Sequence, residues 1–552
     1  MPALLQRLPT LPDSRKTSSP APQEVRTLID ELLTEQKKLQ TPVARFSDHH
    51  DRSPDLEAHY RSLIPLSKPG PGEQYAFEVS LDRCTGCKAC VSACHSLNGL
   101  DDEEAWRDVG TLLGGEKTRG WQQTITTACH HCADPGCMNG CPVGAYEKEA
   151  DTGIVRHLDD QCIGCSYCIL KCPYDVPKYS KKRGIVRKCD MCHQRLSEGE
   201  APACVQACPT EAIRIVTVSR DKSPQAHRLA EHRNLFQNEV RENTSAIPDS
   251  SITLPTTRYV GRNIPETVFA ADREALVPQH AHWPLVLMLM LTQAGVGLIA
   301  SAGFKTAPFP VLLAGTIIFN AGMAASIFHL GQPLKAWRFF LGLRTSWLSR
   351  EILAFSLFAP IPITLIGLSL LPKLHLPIPA FIQNLLPLFH QITACSALPL
   401  GLVAVFTSVM IYHDTRRSLW RFPLSAARFF GTGAGFAALG NHIVHETGTS
   451  YVLFLIAVLA KLSPELRFLQ LGEDEDKPWS PDVHSARLQR EPLGPILRSR
   501  MFFAFVALFV ASLQPWAALP FLLLADLFER QLFFQSVQAP KMPGNFGPAK
   551  HH

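Results

Sequence analysis

The sequence predicts two unlike halves: an α+β domain whose short elements are organised by metal-ligating cysteines, then an all-α bundle of eight transmembrane helices. Three observations carry that prediction. Sixteen of the seventeen cysteines fall between Cys84 and Cys208 in four CxxC-type motifs. Long apolar runs begin only near residue 282. At 552 residues the chain exceeds what one hydrophobic core organises, so its polar and apolar halves are separate units. The net charge of +5 averages over both halves and gives no reason to expect a nucleic-acid partner.

Taken in order, residues 1–73 form a polar extension. Its first 22 residues are rich in Pro and Ser and read as disordered, and Glu24 to Gln40 then sets Val25, Leu28, Ile29, Leu32 and Leu33 at the spacing of one amphipathic helix. That extension holds no apolar core of signal-peptide length and no adjacent arginine pair, so the first domain is expected to stay where it is made. A strand over residues 75–81 opens the cysteine domain, expected over 74–216. Residues 217–280 are polar, lack periodicity and read as a linker. The bundle is expected over 281–535, with apolar runs at 283–303, 308–329, 351–371, 391–412, 427–444, 449–463, 499–514 and 516–533, before a polar tail over 536–552.

The first motif is Cys84, Cys87, Cys90, Cys94; the second Cys129, Cys132, Cys137, Cys141; the third Cys162, Cys165, Cys168, Cys172; the fourth Cys189, Cys192, Cys204, Cys208. A proline follows the last cysteine in all but the first, which is metal-ligand spacing and not a disulfide framework. Three close cysteines wrap three corners of a 4Fe–4S cube while the remote one reaches a neighbouring cluster. Four paired 4Fe–4S clusters in a ferredoxin-like double 4Fe–4S domain follow. Structural zinc is the competing reading, but zinc ribbons pair CxxC units and do not carry CxxCxxCxxxCP. All sixteen ligand positions hold cysteine, so no three-iron or Rieske-type centre is expected. Such a chain of clusters conducts electrons between two distant redox sites. Lys171, Lys178, Lys181, Lys182, Arg183, Arg187 and Lys188 crowd the third and fourth motifs, where they either raise cluster potentials, dock an acidic partner or form a solvated loop.

The stretch CPYDVPKYSKKRGIVRKCDMC, residues 172–192, resembles the four-cluster electron-transfer subunits of molybdopterin oxidoreductases, such as those acting on dimethyl sulfoxide, polysulfide, tetrathionate or sulfite. That resemblance implies nested ligation. Cys84, Cys87, Cys90 and Cys208 would share one cluster, and Cys189, Cys192, Cys204 and Cys94 its neighbour. Cys129, Cys132, Cys137 and Cys172 would hold a third, with Cys162, Cys165, Cys168 and Cys141 on the fourth. HLGQPLKAWRFFLGLRTSWLSREI, residues 329–352, and more loosely Asp526, Glu529 and Arg530, resemble the membrane anchor of dimethyl sulfoxide reductases. The resemblance implies a haem-free anchor that exchanges electrons with quinone or menaquinone, and a separate molybdopterin-containing catalytic subunit. The two halves are usually separate subunits, so their fusion departs from the pattern, and the first 70 residues match neither half.

His329 closes the second apolar run and Glu351 opens the third, which sets both at one membrane face. Ionisable groups there are functional candidates: a quinol hydroxyl can give its proton to one while electrons leave to a nearby cluster. In the anchor family a histidine and a glutamate at these motif positions support quinol binding, and Arg350, Lys335 and Arg338 stand close enough in sequence to assist. The plainer reading makes His329 a helix-end histidine bonded to a carbonyl and Glu351 a helix N-terminal carboxylate. His390, His413, His442 and His445 raise a haem-containing anchor as an alternative, although no haem is expected from the resemblance. Cys395 reads as a small buried hydrophobe.

The loops after the second, fourth and sixth runs, with their helix ends, hold Lys335, Arg338, Arg344, Arg350, Arg416, Arg417, Arg421, Arg428, Lys461, Arg467, Lys477, Arg487, Arg490, Arg498 and Arg500, whereas the opposite loops hold little beyond Lys305 and Lys373. The positive-inside rule then sets the cluster domain on the cytoplasmic side of the inner membrane. The expected function is to relay electrons between the membrane quinone pool and a catalytic subunit acting on a sulfur oxyanion or an S- or N-oxide. A stand-alone quinone-coupled ferredoxin module serving soluble carriers is the other reading.

Overall fold

The computed structural model describes residues 28–39, scattered positions from 41 to 60, and 60–545 apart from 66, 117–118, 221–232, 235–246, 263, 266, 304–308 and 372–378. The Pro- and Ser-rich start of the chain therefore lies outside the described residues. Two units are distinguished, residues 1–56 and 57–552. In the first, α1 (Leu28–Lys38) occupies the middle of the expected amphipathic segment.

In the second unit the cysteine domain mixes strands of two to nine residues with one ten-residue helix and several helices of four or five residues. Its elements are β1 (Glu73–Ser80), α2 (Ala89–Asn98), β2 (Asp108–Glu116), β3 (Arg119–Thr127), α3 (Gly136–Asn139), β4 (Tyr146–Lys148), β5 (Val155–His157), α4 (Tyr167–Lys171), β6 (Lys178–Ser180) and β7 (Ile185–Arg187). They continue with α5 (His193–Ser197), α6 (Ala203–Gln206), β8 (Ile213–Ser219), β9 (Arg233–Asn234), β10 (Arg258–Gly261) and β11 (Val268–Ala270). One sheet runs β8–β1–β10–β9, with β8 antiparallel and β10 parallel to β1; β11 pairs with β2 and β2 with β3. Segments 258–261 and 268–270 lie within the stretch expected as a linker, yet both are integral to the sheets. Strands of four and three residues are too short to show alternation in sequence.

One backbone device recurs in all four motifs. The third residue of each CxxC turns left-handed: Gly86 at φ 72°, His131 at 42°, Gly164 at 69° and Met191 at 60°. That turn bends the loop so that both of its thiols face the same side. Glycine adopts it freely, whereas His131 and Met191 do so at a cost of roughly 1–2 kcal/mol each, sustained by the surrounding structure.

The bundle comprises α7 (Trp283–Gly303), α8 (Phe309–Ile327), α9 (Trp347–Phe358), α10 (Pro360–Leu370), α11 (Ala380–His413), α12 (Phe422–His445), α13 (Gly448–Leu469), α14 (Pro481–Arg490), α15 (Gly494–Leu513) and α16 (Pro515–Gln535). Among the described residues five segments are long and apolar enough to cross a membrane: Trp283–Ser301, Phe309–Ile327, Trp347–Leu370, Phe381–His413 and Gly494–Leu513. Their outer faces expose Ile317, Leu357, Phe505 and Phe509, as a helix surrounded by lipid does. The chain is a multi-pass membrane protein. Cys395 is exposed and not buried as expected, on a stretch of α11 where Phe389 and Ile392 are exposed too.

Helices α12, α13 and α16 fall short of the apolar criterion because they carry charges turned inward. Lys461 Nζ lies 2.7 Å from Asp526, Arg500 is 3.3 Å from Glu465 and 3.4 Å from Asp526, and Arg428 is 3.5 Å from Glu529. Arg530 pairs with Glu529 and donates to Gln293 Oε1 at 2.5 Å and to Thr432 Oγ1 at 3.0 Å. Four cations and three carboxylates thus pair with one another inside the bundle. Removing one partner would leave an uncompensated buried charge.

The cysteine domain is seated on the bundle through backbone contacts. The Gln332 N–H donates to the Ile163 carbonyl at 3.0 Å, the Gly342 N–H to the Pro142 carbonyl at 2.9 Å, and Ser346 Oγ to the Gly140 carbonyl at 2.7 Å. Beyond α16 the chain returns to the cysteine domain. The Thr111 N–H donates to the Gly544 carbonyl at 3.0 Å, Asn545 Nδ2 to the Val109 carbonyl at 2.7 Å, and Lys541 pairs with Asp272 at 2.6 Å.

Candidate cluster cradles and quinone site

The sixteen cysteines gather into four groups, each taking three thiols from one motif and one from another. Cys84, Cys87, Cys90 and Cys208 line a cleft of about 290 Å³ between α2 and β8. Cys129, Cys132, Cys137 and Cys172 line another of about 360 Å³, together with His130, His131 and Lys188. The Cys94 thiol is within electrostatic reach of Cys189, Cys192 and Cys204, and Cys141 of Cys162, Cys165 and Cys168. These are the sets that the family resemblance implies.

The donor set fits a cube-shaped cluster better than a single ion. Among the described residues no three His, Cys, Asp or Glu side chains converge on one metal point. In two of the sets the thiols instead line an open cleft, as the corners of a cube require. Burial, followed by the charge of neighbouring thiols, pushes Cys189 up to about 12 and Cys192 to about 11; burial likewise raises Cys172 and Cys204 to about 11. These thiols are neutral without a cationic partner, so iron is what would make them thiolates. Backbone amides already point at the sulfurs: Ala145 at Cys141 (3.2 Å), Gly164 at Cys162 (3.4 Å), Met191 at Cys189 (3.4 Å) and Ala212 at Cys208 (3.2 Å).

Of the seven basic residues around the third and fourth motifs, most are engaged elsewhere. Lys171 binds Asp414 at 2.7 Å, Lys178 Asp175 at 2.6 Å, Lys181 Glu103 at 2.6 Å, Arg183 Asp159 at 3.5 Å and Arg187 Glu104 at 3.1 Å. Lys182 is exposed beside Asp101. Lys188 alone among them touches a cysteine sulfur. The sequence reading missed a second buried cation, Arg107, which reaches Thr126 Oγ1 at 3.2 Å and lies among Cys90, Cys94, Cys189 and Cys204. An isolated arginine outside every motif carries no signal of that place.

His329 follows α8, and its Nε2 is 2.8 Å from the carbonyl of Cys165. A carbonyl only accepts, so Nε2 carries the proton and Nδ1 is the lone-pair nitrogen. Burial holds His329 below the ordinary histidine range, opposed by that bond, and its ring meets His282 edge-on at 6.3 Å. Glu351 is buried in α9, with Ser408 of α11 donating to its Oε1 at 2.5 Å. Tyr167, two residues after Cys165, is buried in the apolar core of the bundle and donates to the Ile411 carbonyl at 3.0 Å. Burial raises its phenol, and the carboxylates of Asp414 and Glu351 push the same way. The segment Cys165–Cys168 thus bonds His329 through a carbonyl and brings Tyr167 within electrostatic reach of Glu351.

The expected assistants are otherwise occupied. Arg338 donates to the Asp160 carbonyl at 3.1 Å, and Arg350 to the carbonyls of Leu343 (3.1 Å) and Arg344 (2.8 Å) while stacking on Trp347 at 4.3 Å. Both tie the 329–352 loop together or to the cysteine domain. Lys335 is half-buried one turn into that loop. Among the histidines of the haem alternative, His442 has Nδ1 on Ser450 Oγ at 2.9 Å and Nε2 at 3.0 Å from the Ala511 carbonyl, so neither nitrogen is left for iron. Ser408 and Tyr167 do not stand out in the sequence, where each is one hydroxyl among many.

Comparison with known proteins adds to this geometry. Residues 121–218 match the family described as 4Fe-4S dicluster domain, and residues 279–467 match the DMSO reductase anchor subunit. The B subunit of the anaerobic dimethyl sulfoxide reductase of Haemophilus influenzae is 42% identical over 150 residues, 26% of this chain and 73% of the relative. The B subunit of the same enzyme in Escherichia coli strain K12 is 40% identical over 148 residues, 25% of this chain and 72% of its own length. The formate dehydrogenase-O iron-sulfur subunit of that strain is 33% identical over 176 residues, 29% of this chain and 58% of the relative.

Proposed function

We propose, from the premise that this chain belongs to the family of anaerobic dimethyl sulfoxide reductase B subunits and carries an anchor domain of that complex on the same polypeptide, that it conducts electrons between membrane quinone and a separate molybdopterin-containing catalytic subunit. The partner's substrate class is an S- or N-oxide or a sulfur oxyanion. The observation that carries this reading is the burial of the third cysteine motif against the bundle, where Cys165–Cys168 meets His329 and the surroundings of Glu351.

Four 4Fe–4S clusters, when bound, supply one-electron stations in the four nested sets of cysteines. The protein's own residues handle the protons. Oxidation of a quinol releases two protons with its two electrons. His329 takes one on Nδ1, since Nε2 is committed to the Cys165 carbonyl, and Glu351 takes the other, positioned by Ser408. Cys87 is exposed, so the loop of the first motif is the face offered to the catalytic subunit. Eight crossings are the count we infer, with α12, α13 and α16 added to the five apolar segments. The excess of cations on the loops that share a side with the cysteine domain supports a cytoplasmic location on the inner membrane.

Metal analysis and electron paramagnetic resonance on the membrane complex, purified through this chain, test the reading. The expected result is about sixteen irons per chain, four to each cluster, with molybdenum in a co-purifying subunit. Iron without molybdenum would favour the stand-alone module, and zinc in place of iron would overturn the proposal.

A further inference from the structure

We propose that Lys188 is an electrostatic bridge between the two pairs of clusters and raises the reduction potential of the cluster on either side of it. The inference rests on the nested ligation just proposed. Lys188 precedes Cys189 on the strand-to-loop junction after β7, and its side chain is buried. Its Nζ lies 3.6 Å from Cys129 Sγ and 2.8 Å from the Cys189 carbonyl, and it also donates to the Val155 carbonyl. Cys129 belongs to the set completed by Cys172, and Cys189 to the set completed by Cys94. One ammonium therefore touches ligand residues of two clusters that belong to different pairs.

The charge has few competitors. Among the described residues no carboxylate lies within ion-pair distance of Nζ; Asp190 is the acidic neighbour in electrostatic reach, and His131 shares the cleft. The other six basic residues of the third and fourth motifs face carboxylates or solvent. Cluster reduction adds one negative charge. A cation in contact with a ligand sulfur stabilises that state, and does so strongly where water is excluded. Salt screens surface lysines within about 10 Å at 0.1 M but not a buried contact, so the effect of Lys188 persists at high ionic strength.

Redox titration of the membrane complex, followed by electron paramagnetic resonance, reads the effect directly. In Lys188→Met, two of the four midpoint potentials are expected to move to more negative values while the other two stay, at low and high salt alike. Lys188→Arg should hold all four near the wild-type values. Four unmoved potentials in Lys188→Met with a full iron complement would overturn the proposal. If the Met variant loses iron, Lys188→Gln, which keeps an N–H donor for the carbonyls, decides in the same way. Iron loss in both variants would make Lys188 a scaffold donor only and would likewise overturn it. The iron content of the wild-type chain tests the underlying ligation separately, so the two failures are distinguishable.

Discussion

A single methyl added at Gly342 is expected to loosen the seat of the cysteine domain on the bundle. The Cβ of Gly342→Ala would lie 2.7 Å from the Cα and carbonyl oxygen of Pro142 and 2.8 Å from the carbonyl oxygen of Cys141. Ordinary carbon contacts sit near 3.5–4.0 Å, so the two backbones must part by about 1 Å. Overpacking of this kind costs roughly 1–3 kcal/mol. The Gly342–Pro142 bond of 2.9 Å is lost with it, adding about 1 kcal/mol. The sum, roughly 2–4 kcal/mol, weakens docking by about 30-fold to about 1,000-fold. The strain falls on the residue next to Cys141, in the cluster set nearest the bundle. Stopped-flow reduction of the clusters by a soluble quinol should slow, while iron content stays at the wild-type level. Gly367→Ala is the control, since its Cβ meets nothing within 4 Å. Unchanged quinol-driven reduction and unchanged thermal stability in Gly342→Ala would refute the reasoning.

Replacing His329 by Ala, or Glu351 by Gln, should abolish quinol oxidation and leave the cluster signals intact; quinol activity retained in both variants removes the proposed site. Burial holds His282 near 3 and His484 near 4, the latter also opposed by Lys541 and Arg487, whereas unfolded histidine titrates near 6.5. Between those values the unfolded chain binds more protons, so this stability is complete above about pH 6.5 and drains as pH falls towards 4 and 3. Thermal midpoints measured from pH 8 to 4 should decline below 6.5, and a flat profile would contradict the burial of these rings. Deleting residues 541–552 removes the Lys541–Asp272 pair and the bonds of Gly544 and Asn545 to β2, and the urea midpoint of the cysteine domain should fall; an unmoved midpoint would show that the tail contributes nothing.

What could be read in the sequence is what is local. Metal ligation needs thiols at short fixed spacings, so the four motifs announce themselves, and the left-handed third residue follows from the same tight loop. The apolar helices are equally legible where lipid faces them. Helices α12, α13 and α16 are less apolar because Arg428, Lys461, Glu465, Asp526, Glu529 and Arg530 lower their hydropathy, and only packing shows that these charges pair inside the bundle. Contacts across the two halves left no trace. Tyr167 and Ile411 are 244 positions apart, and no periodicity predicts that a residue inside a cysteine motif is buried among membrane helices. Arg338 and Arg350 illustrate the converse: cations near a candidate site in sequence serve to brace the loop that carries it.

The return of residues 541–545 to β2 bears on how the chain is made. Strand β2 precedes the bundle in the chain, yet the groups that bond its Val109 and Thr111, beside the stretch paired with β11, are translated only after the whole bundle. These two backbone groups of β2 therefore wait for their partners across more than 400 residues of chain. A chain whose insertion stalls before α16 would therefore lack the contacts that residues 541–545 make with the cysteine domain.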